Sequence, residues 1–130
     1  MIVLDTHVML WFALEPKKLS KRARVTLQHA HDTGEPLAIS CFTLFEIARL
    51  AERRRIALNA STEAFLSYME SKIQVQPITQ LIAITAARLP DPFPGDPADR
   101  IIAATALSHA APLLTADERM RRAGVVRTVW

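Results

Sequence analysis

The chain opens on four apolar residues, Met1 to Leu4, that stop abruptly at Asp5, Thr6 and His7. A run this short cannot make a buried helix, and a run with no polar alternation does not suit a strand with one wet face. It predicts a strand covered on both sides, as strands of parallel sheets are. The same signature returns at Pro36-Leu-Ala-Ile-Ser40 and at Pro112 to Thr115, with further strands expected at Ile73–Pro77 and Val125–Val129.

Helical spacing fills the intervals. The apolar stretch Val8–Leu14 stops before Pro16, and Leu19, Ala23, Leu27 and Ala30 recur at three- and four-residue steps in a helix reaching His31. Thr43-x-x-Glu46 has the form of a capping box opening a helix to Leu50, and Ser61 or Thr62 caps another through about Glu70. A helix over Leu81–Leu89 precedes a loop dense in proline, with Pro90, Pro92, Pro94 and Pro97. Asp96-Pro97 then sets a favoured cap before a favoured first helical residue, predicting a helix to about His109, and Ala116–Ala123 predicts a short one. Strands alternating with helices imply a layered α/β fold with a mostly parallel sheet. At 130 residues the expectation is one domain, residues 1–130, with no internal repeat and no linker.

In a parallel sheet the loops after all the strands open on one edge, where ligands bind in such folds. Asp5 ends the first strand, Asp117 follows the strand ending at Thr115, and Glu46 sits early in the helix after the second strand. Asp99 lies in the first turn of its own helix and joins them if that end packs at the same edge. Each acid also suits a helix N-terminus, where the dipole is positive and N–H groups lack partners. Thr43-x-x-Glu46 and Thr115-x-x-Glu118 read as capping boxes, and Asp96 reads better as an N-cap than as a ligand. Glu46, however, stands among Leu44, Phe45, Ile47 and Ala48, so burial requires that it be paired or hydrogen-bonded. Taken jointly, carboxylates converging on one edge repel one another and raise each other's pKa unless a cation sits between them. Oxygen ligands without clustered cysteine or histidine point to Mg²⁺ or Mn²⁺, and thence to hydrolysis of a phosphodiester.

The other reactive residue types offer less. His7, His29, His31 and His109 have no metal-motif spacing, and His7 is expected to make local hydrogen bonds. Cys41 is expected to be a small buried hydrophobe, and a single cysteine calls for no oxidising compartment, which favours the cytoplasm. The opening lacks the basic and long apolar regions of a signal peptide, and no run approaches the roughly 20 apolar residues of a membrane span. Trp11, Phe12, Phe42, Phe45 and Phe65 read as core or dimer interface. Arg49, Arg53, Arg54 and Arg55, with Arg119, Arg121 and Arg122, fit either a nucleic-acid grip or a solvated face. The net charge of +3 is compatible with a polyanionic partner without requiring one.

The opening Ile-Val-Leu-Asp-Thr-His, the mid-chain Ser-x-x-Thr-x-x-Glu-Ile, the segment Gly95-Asp-Pro-Ala-Asp-Arg-Ile-Ile-Ala-Ala-Thr-Ala106 and Leu-Leu-Thr-Ala-Asp117 resemble, in that order, the motifs of PIN-domain nucleases. The similarity is strongest to the VapC-type toxins of toxin–antitoxin pairs and extends over essentially the whole chain. It implies a three-layer α/β/α sandwich and an Mg²⁺- or Mn²⁺-dependent endoribonuclease acting on RNA. A homodimer held inactive by a cognate antitoxin is also implied. Carried over by motif, Asp5 and Asp99 would be the main metal ligands. Glu46 would complete the shell or orient water, and Asp117 would support a second metal or an outer water. Asp96 would be accessory, and Thr6 and Thr115 would hydrogen-bond to the acids. Met120 departs from the pattern at a position commonly aromatic.

Two other classes compete. A catalytically silent RNA- or protein-binding module would use the acids only as caps. A phosphatase of the haloacid-dehalogenase type would need a second acid two residues after Asp5, where His7 stands, and a receiver domain would need a lysine at a strand end.

Overall fold

Alternation along the strands decides the layering. The computed structural model describes all 130 residues, with strands β1 (Ile2–Leu4), β2 (Leu37–Ser40), β3 (Gln74–Gln76), β4 (Leu113–Leu114) and β5 (Thr128–Val129). They form one sheet in the order β3-β2-β1-β4-β5, with every neighbouring pair parallel. Val3 pairs with Ala38 on one side and Leu113 on the other. Because successive side chains point to opposite faces, Ile2, Leu4, Ile39 and Leu114 cover one face, and Val3, Ala38 and Leu113 the other.

On the first face pack α1 (Thr6–Leu14), α2 (Lys21–Thr33), α3 (Cys41–Glu52) and α4 (Thr62–Lys72), through Val8, Leu27, Ile47 and Met69. On the second, α6 (Pro97–Ser108) brings Ile102, Ala103 and Ala106, and α7 (Glu118–Ala123) brings Met120. α5 (Gln80–Ala87) packs Ile82 and Ala86 outside α6 against Ala104. Ala103 and Ala106 of α6 pack directly against Val3, Ala38 and Leu113 of the sheet, where a small side chain lets the backbones approach closely. The expected three-layer α/β fold is the observed one.

Local boundaries differ for identifiable reasons. α1 starts at Thr6, two residues early, because the Asp5 side chain accepts from the Thr6 N–H and caps it. α5 starts at Gln80, capped by Thr79. β3 stops short of Pro77, which has no N–H for the ladder. β5 is two residues long instead of five, because the chain first turns back after Gly124, at φ 65°, where α7 ends. Two helices end on a left-handed residue that is not glycine: Arg54, at φ 54°, follows α3, and Ala110, at φ 49°, follows α6. In each case the N–H group of the next residue reaches back to a last-turn carbonyl, Arg55 to Leu50 at 2.8 Å and Ala111 to Ala106 at 2.9 Å.

Candidate active site

A cleft of about 420 Å³ opens at the carboxyl ends of the strands, lined by Asp5, Glu46, Asp96, Asp99 and Asp117 together with Thr6, His7 and Trp11. Four different elements deliver the four principal acids: Asp5 from the end of β1, Glu46 from α3, Asp99 from the first turn of α6, and Asp117 from the turn after β4. The tertiary structure therefore brings together every acid singled out from the sequence.

Asp5 is buried and held by both oxygens. One accepts from the Thr6 N–H at 2.7 Å and the other from the Thr115 hydroxyl at 2.7 Å. Thr115 in turn accepts from the Asp117 N–H at 3.1 Å, so the turn after β4 is keyed to the end of β1. Glu46 accepts from the Thr6 hydroxyl at 2.5 Å. Thr6 has one hydroxyl hydrogen and spends it on Glu46, so in the contact between Thr6 and Thr43 at 3.1 Å it is Thr43 that donates. Each carboxylate oxygen keeps a further lone pair for a ligand.

These contacts correct two expectations. Thr43-x-x-Glu46 is not a capping box, since Ser40 caps α3 by accepting from the Phe42 N–H, and Thr43 and Glu46 both bond to Thr6 instead. Thr115-x-x-Glu118 is not one either, since Asp117 caps α7 through the Arg119 and Met120 N–H groups. Asp96 does cap α6, accepting from the Ala98 and Asp99 N–H groups at 2.9 and 3.3 Å. Asp96 and Asp117 thus carry structural duties while facing the cleft, whereas Glu46 and Asp99 cap nothing.

No lysine, arginine or histidine forms an ion pair with any of the five acids; the ion pairs present are Met1–Glu35, Lys18–Glu15 and Arg122–Glu118. The electrostatic consequence is clear. Burial, followed by repulsion from Asp96, Asp5, Asp117 and Glu46, pushes the Asp99 carboxyl up from 3.8 to about 7. Burial also raises Asp5, against the opposing Thr115 and Thr6 hydrogen bonds, and raises Glu46 against the Thr6 bond. An all-oxygen donor set carrying uncompensated negative charge suits a hard divalent cation. The side chains are not drawn into a finished cage, since no three His, Cys, Asp or Glu side chains stand at metal-binding separation.

Other expectations change here. His7 makes no side-chain hydrogen bond; it lies exposed 6.1 Å from the Trp11 ring, which itself lies 5.7 Å from Trp130. Trp11 packs against the edge of the core while remaining partly exposed on the cleft. Cys41 opens α3 half-exposed, and Phe45 is 54% exposed. Met120, at the position commonly aromatic, is fully buried with its sulfur 4.0 Å from the Thr115 hydroxyl. Arg100 escaped sequence reasoning altogether. Its guanidinium donates to the carbonyls of Ala86, Leu89 and Pro94 at 2.9, 2.8 and 3.1 Å, tying the end of α5 to the proline-rich loop that leads into Asp96 and Asp99. Nothing in local spacing announces such a contact, because its partners lie up to 14 residues away and are backbone atoms.

A parallel five-stranded α/β/α sheet with carboxylates gathered at the strand ends is the architecture of the PIN domain, whose family model matches residues 2–126. The chain belongs to the PIN-domain family. Within it the chain is of the VapC type: it is 40% identical over 131 residues to Ribonuclease VapC22 from Mycobacterium tuberculosis, covering 99% of this chain and 98% of that protein. Solved structures share the fold at lower identity. A DNA-bound VapBC from Salmonella typhimurium matches with a TM-score of 0.71 at 20% identity, covering 98% of this chain and 95% of that one. VapBC2 from Rickettsia felis, bound to a promoter DNA fragment, matches at 0.73 and 16%, covering 98% and 97%. A toxin–antitoxin complex from Klebsiella pneumoniae matches at 0.70 and 23%, covering 100% and 97%.

Proposed function

We propose that the protein is a Mg²⁺- or Mn²⁺-dependent endoribonuclease that hydrolyses RNA phosphodiester bonds and serves as the toxin of a toxin–antitoxin pair. The observation that carries this is the convergence of Asp5, Glu46, Asp99 and Asp117 on one cleft with no cationic side chain to neutralise them. The likeness over nearly its whole length to a ribonuclease of the VapC type supports the substrate class.

Asp5 and Asp99 are the principal metal ligands in this reading, Glu46 completes the shell or orients water, and Asp117 supports an outer water or a second ion. When bound, a divalent cation polarises a phosphoryl oxygen and makes water nucleophilic at neutral pH. The chain's own residues prepare for this. Thr6 and Thr115 fix Asp5 and Glu46 so that their rotamers need no ordering on binding. Asp96, by capping α6, holds the first turn that carries Asp99.

Purified protein is expected to cut RNA with Mg²⁺ or Mn²⁺ and to stop on chelation. Asp5→Asn and Asp99→Asn should abolish cleavage, and Asp117→Asn should cost least. Full activity in either of the first two purified variants would remove the assigned roles. Calorimetric titration with Mn²⁺ separates a silent module, which would bind no better than background. A cognate antitoxin as partner follows from the same reading, with relief of toxicity by a neighbouring gene product as its test. A homodimer belongs to the same reading, with exposed Ile78, Leu81 and Ile84 around α5 as its candidate apolar surface, and gel filtration checks it.

A further inference from the structure

Beside the acidic cleft lies a second pocket of about 370 Å³, lined by Arg49, Arg53 and Arg55 together with Thr6, His7 and Glu46, which line both. Arg49 and Arg53 stand one helical turn apart at the end of α3 and therefore face the same way. Arg55 joins them because the left-handed residue at Arg54 folds the chain back, with the Arg55 N–H bonded to the Leu50 carbonyl. Arg54 itself does not line the pocket. None of the three guanidiniums has an ion-pair partner or a side-chain hydrogen bond. The nearby Glu52 is engaged by the Thr62 hydroxyl at 3.1 Å, and the Arg49 guanidinium lies 5.7 Å over the Phe45 ring. Glu46 is the one acid in the lining and makes no ion pair with any of the three arginines, so the pocket keeps an excess of positive charge that suits an anion, and the planar fork of arginine matches phosphate oxygens two at a time.

We infer that Arg49, Arg53 and Arg55 form a phosphate-binding subsite that holds a backbone phosphate of the RNA strand flanking the one cut in the acidic cleft. This rests on the nuclease reading and deepens it. A strand crossing the shared residues passes from a surface that repels anions without a cation to one that attracts them, so the arginines hold and register the substrate while the acids do the chemistry.

The test measures binding of a fluorescent single-stranded oligoribonucleotide to the full chain carrying Asp99→Asn, so that the measurement does not depend on cleavage. Adding Arg49→Gln, Arg53→Gln and Arg55→Gln together should weaken binding by about 10- to 100-fold, the effect of removing the charge-assisted bonds to one phosphate. The dependence of log affinity on log salt should become shallower by about 0.7 for each phosphate that the arginines no longer neutralise. Arg54→Gln removes the same kind of charge next door and should change neither by more than about twofold. If the triple variant does not fold, judged by its thermal transition, Arg55→Gln and Arg55→Lys singly carry the test; the second keeps the charge and loses the fork, and should still weaken binding. Unchanged RNA binding in the pocket variants overturns the subsite, as it would if the pocket served an acidic peptide. An Arg54→Gln effect as large as theirs also overturns it, by showing diffuse surface charge. Failure of the wild type to cleave RNA, with the binding differences intact, would instead strike the nuclease reading alone.

Discussion

Replacing Asp99 by asparagine should stabilise the metal-free protein, and the gain should depend on pH. The Asp99 carboxyl is raised from 3.8 to about 7 in the fold. Below about pH 4 it is protonated in both folded and unfolded chains and contributes nothing. As pH rises from about 4 to 7 the unfolded chain ionises while the fold keeps its proton, so the folded state binds more protons and stability falls; above about 7 the full penalty applies. Going from 3.8 to about 7, at about 1.4 kcal/mol for each tenfold change in proton affinity, sets a ceiling of about 4 kcal/mol. Asp99 is only half-buried and solvent screens it, so about 1–2 kcal/mol is the expected gain at pH 8, or about 3–8 °C in Tm for a chain of this size. Thermal unfolding followed by circular dichroism, in chelator at pH 8 and again near pH 4, measures it. A gain at pH 8 that fades toward pH 4 is the expected result. Saturating Mn²⁺ should reverse the ranking, since ligand at 100 times its Kd adds about 2.7 kcal/mol to the form that binds it. Neutral or destabilising behaviour of Asp99→Asn at pH 8, or a gain equal at both pH values, would refute the claim that burial and uncompensated repulsion together penalise the Asp99 carboxylate.

Three further outcomes follow from particular contacts. Thr115→Val keeps the shape of a fully buried side chain but removes the donor to Asp5; a 10- to 100-fold loss of metal affinity or activity is expected by titration and RNA cleavage, roughly the effect of removing an outer-shell partner. Arg100→Met strips the carbonyls of Ala86, Leu89 and Pro94 of their donor and should cost about 2–3 kcal/mol in urea unfolding, with faster proteolytic nicking between residues 88 and 96. Ala110→Gly relieves a left-handed alanine at φ 49° and should add about 0.5–1 kcal/mol of stability without altering cleavage, because residue 110 lies at the far end of α6 from Asp99.

The layering was legible in the chain because a buried parallel strand has a one-dimensional signature. Ile2-Val3-Leu4, Leu37-Ala-Ile and Leu113-Leu114 are apolar on both faces, whereas the helices between them recur at three- and four-residue steps. Chain direction then placed Asp5 and Asp117 at one edge without any coordinates, since parallel strands all end there. The same local reasoning left Glu46 open between a capping box and the cleft, because the spacing of a capping box and that of two residues sharing a helix face are identical. Only the approach of Thr6, 40 residues away in sequence, distinguishes them.

What the sequence by itself determined is the order of elements, the parallel sheet and the identity of the acids, all of which follow from patterns within a few residues. The tertiary structure decided which of those acids also cap helices, that Thr115 rather than a charged group holds Asp5, and that Asp99 is driven to about 7. It also turned Arg55 back beside Arg49 and Arg53, and sent Arg100 across to the proline-rich loop. Local propensity and periodicity are written along the chain, but burial, mutual repulsion and hydrogen bonds over tens of residues exist only once the sheet has brought those residues within reach.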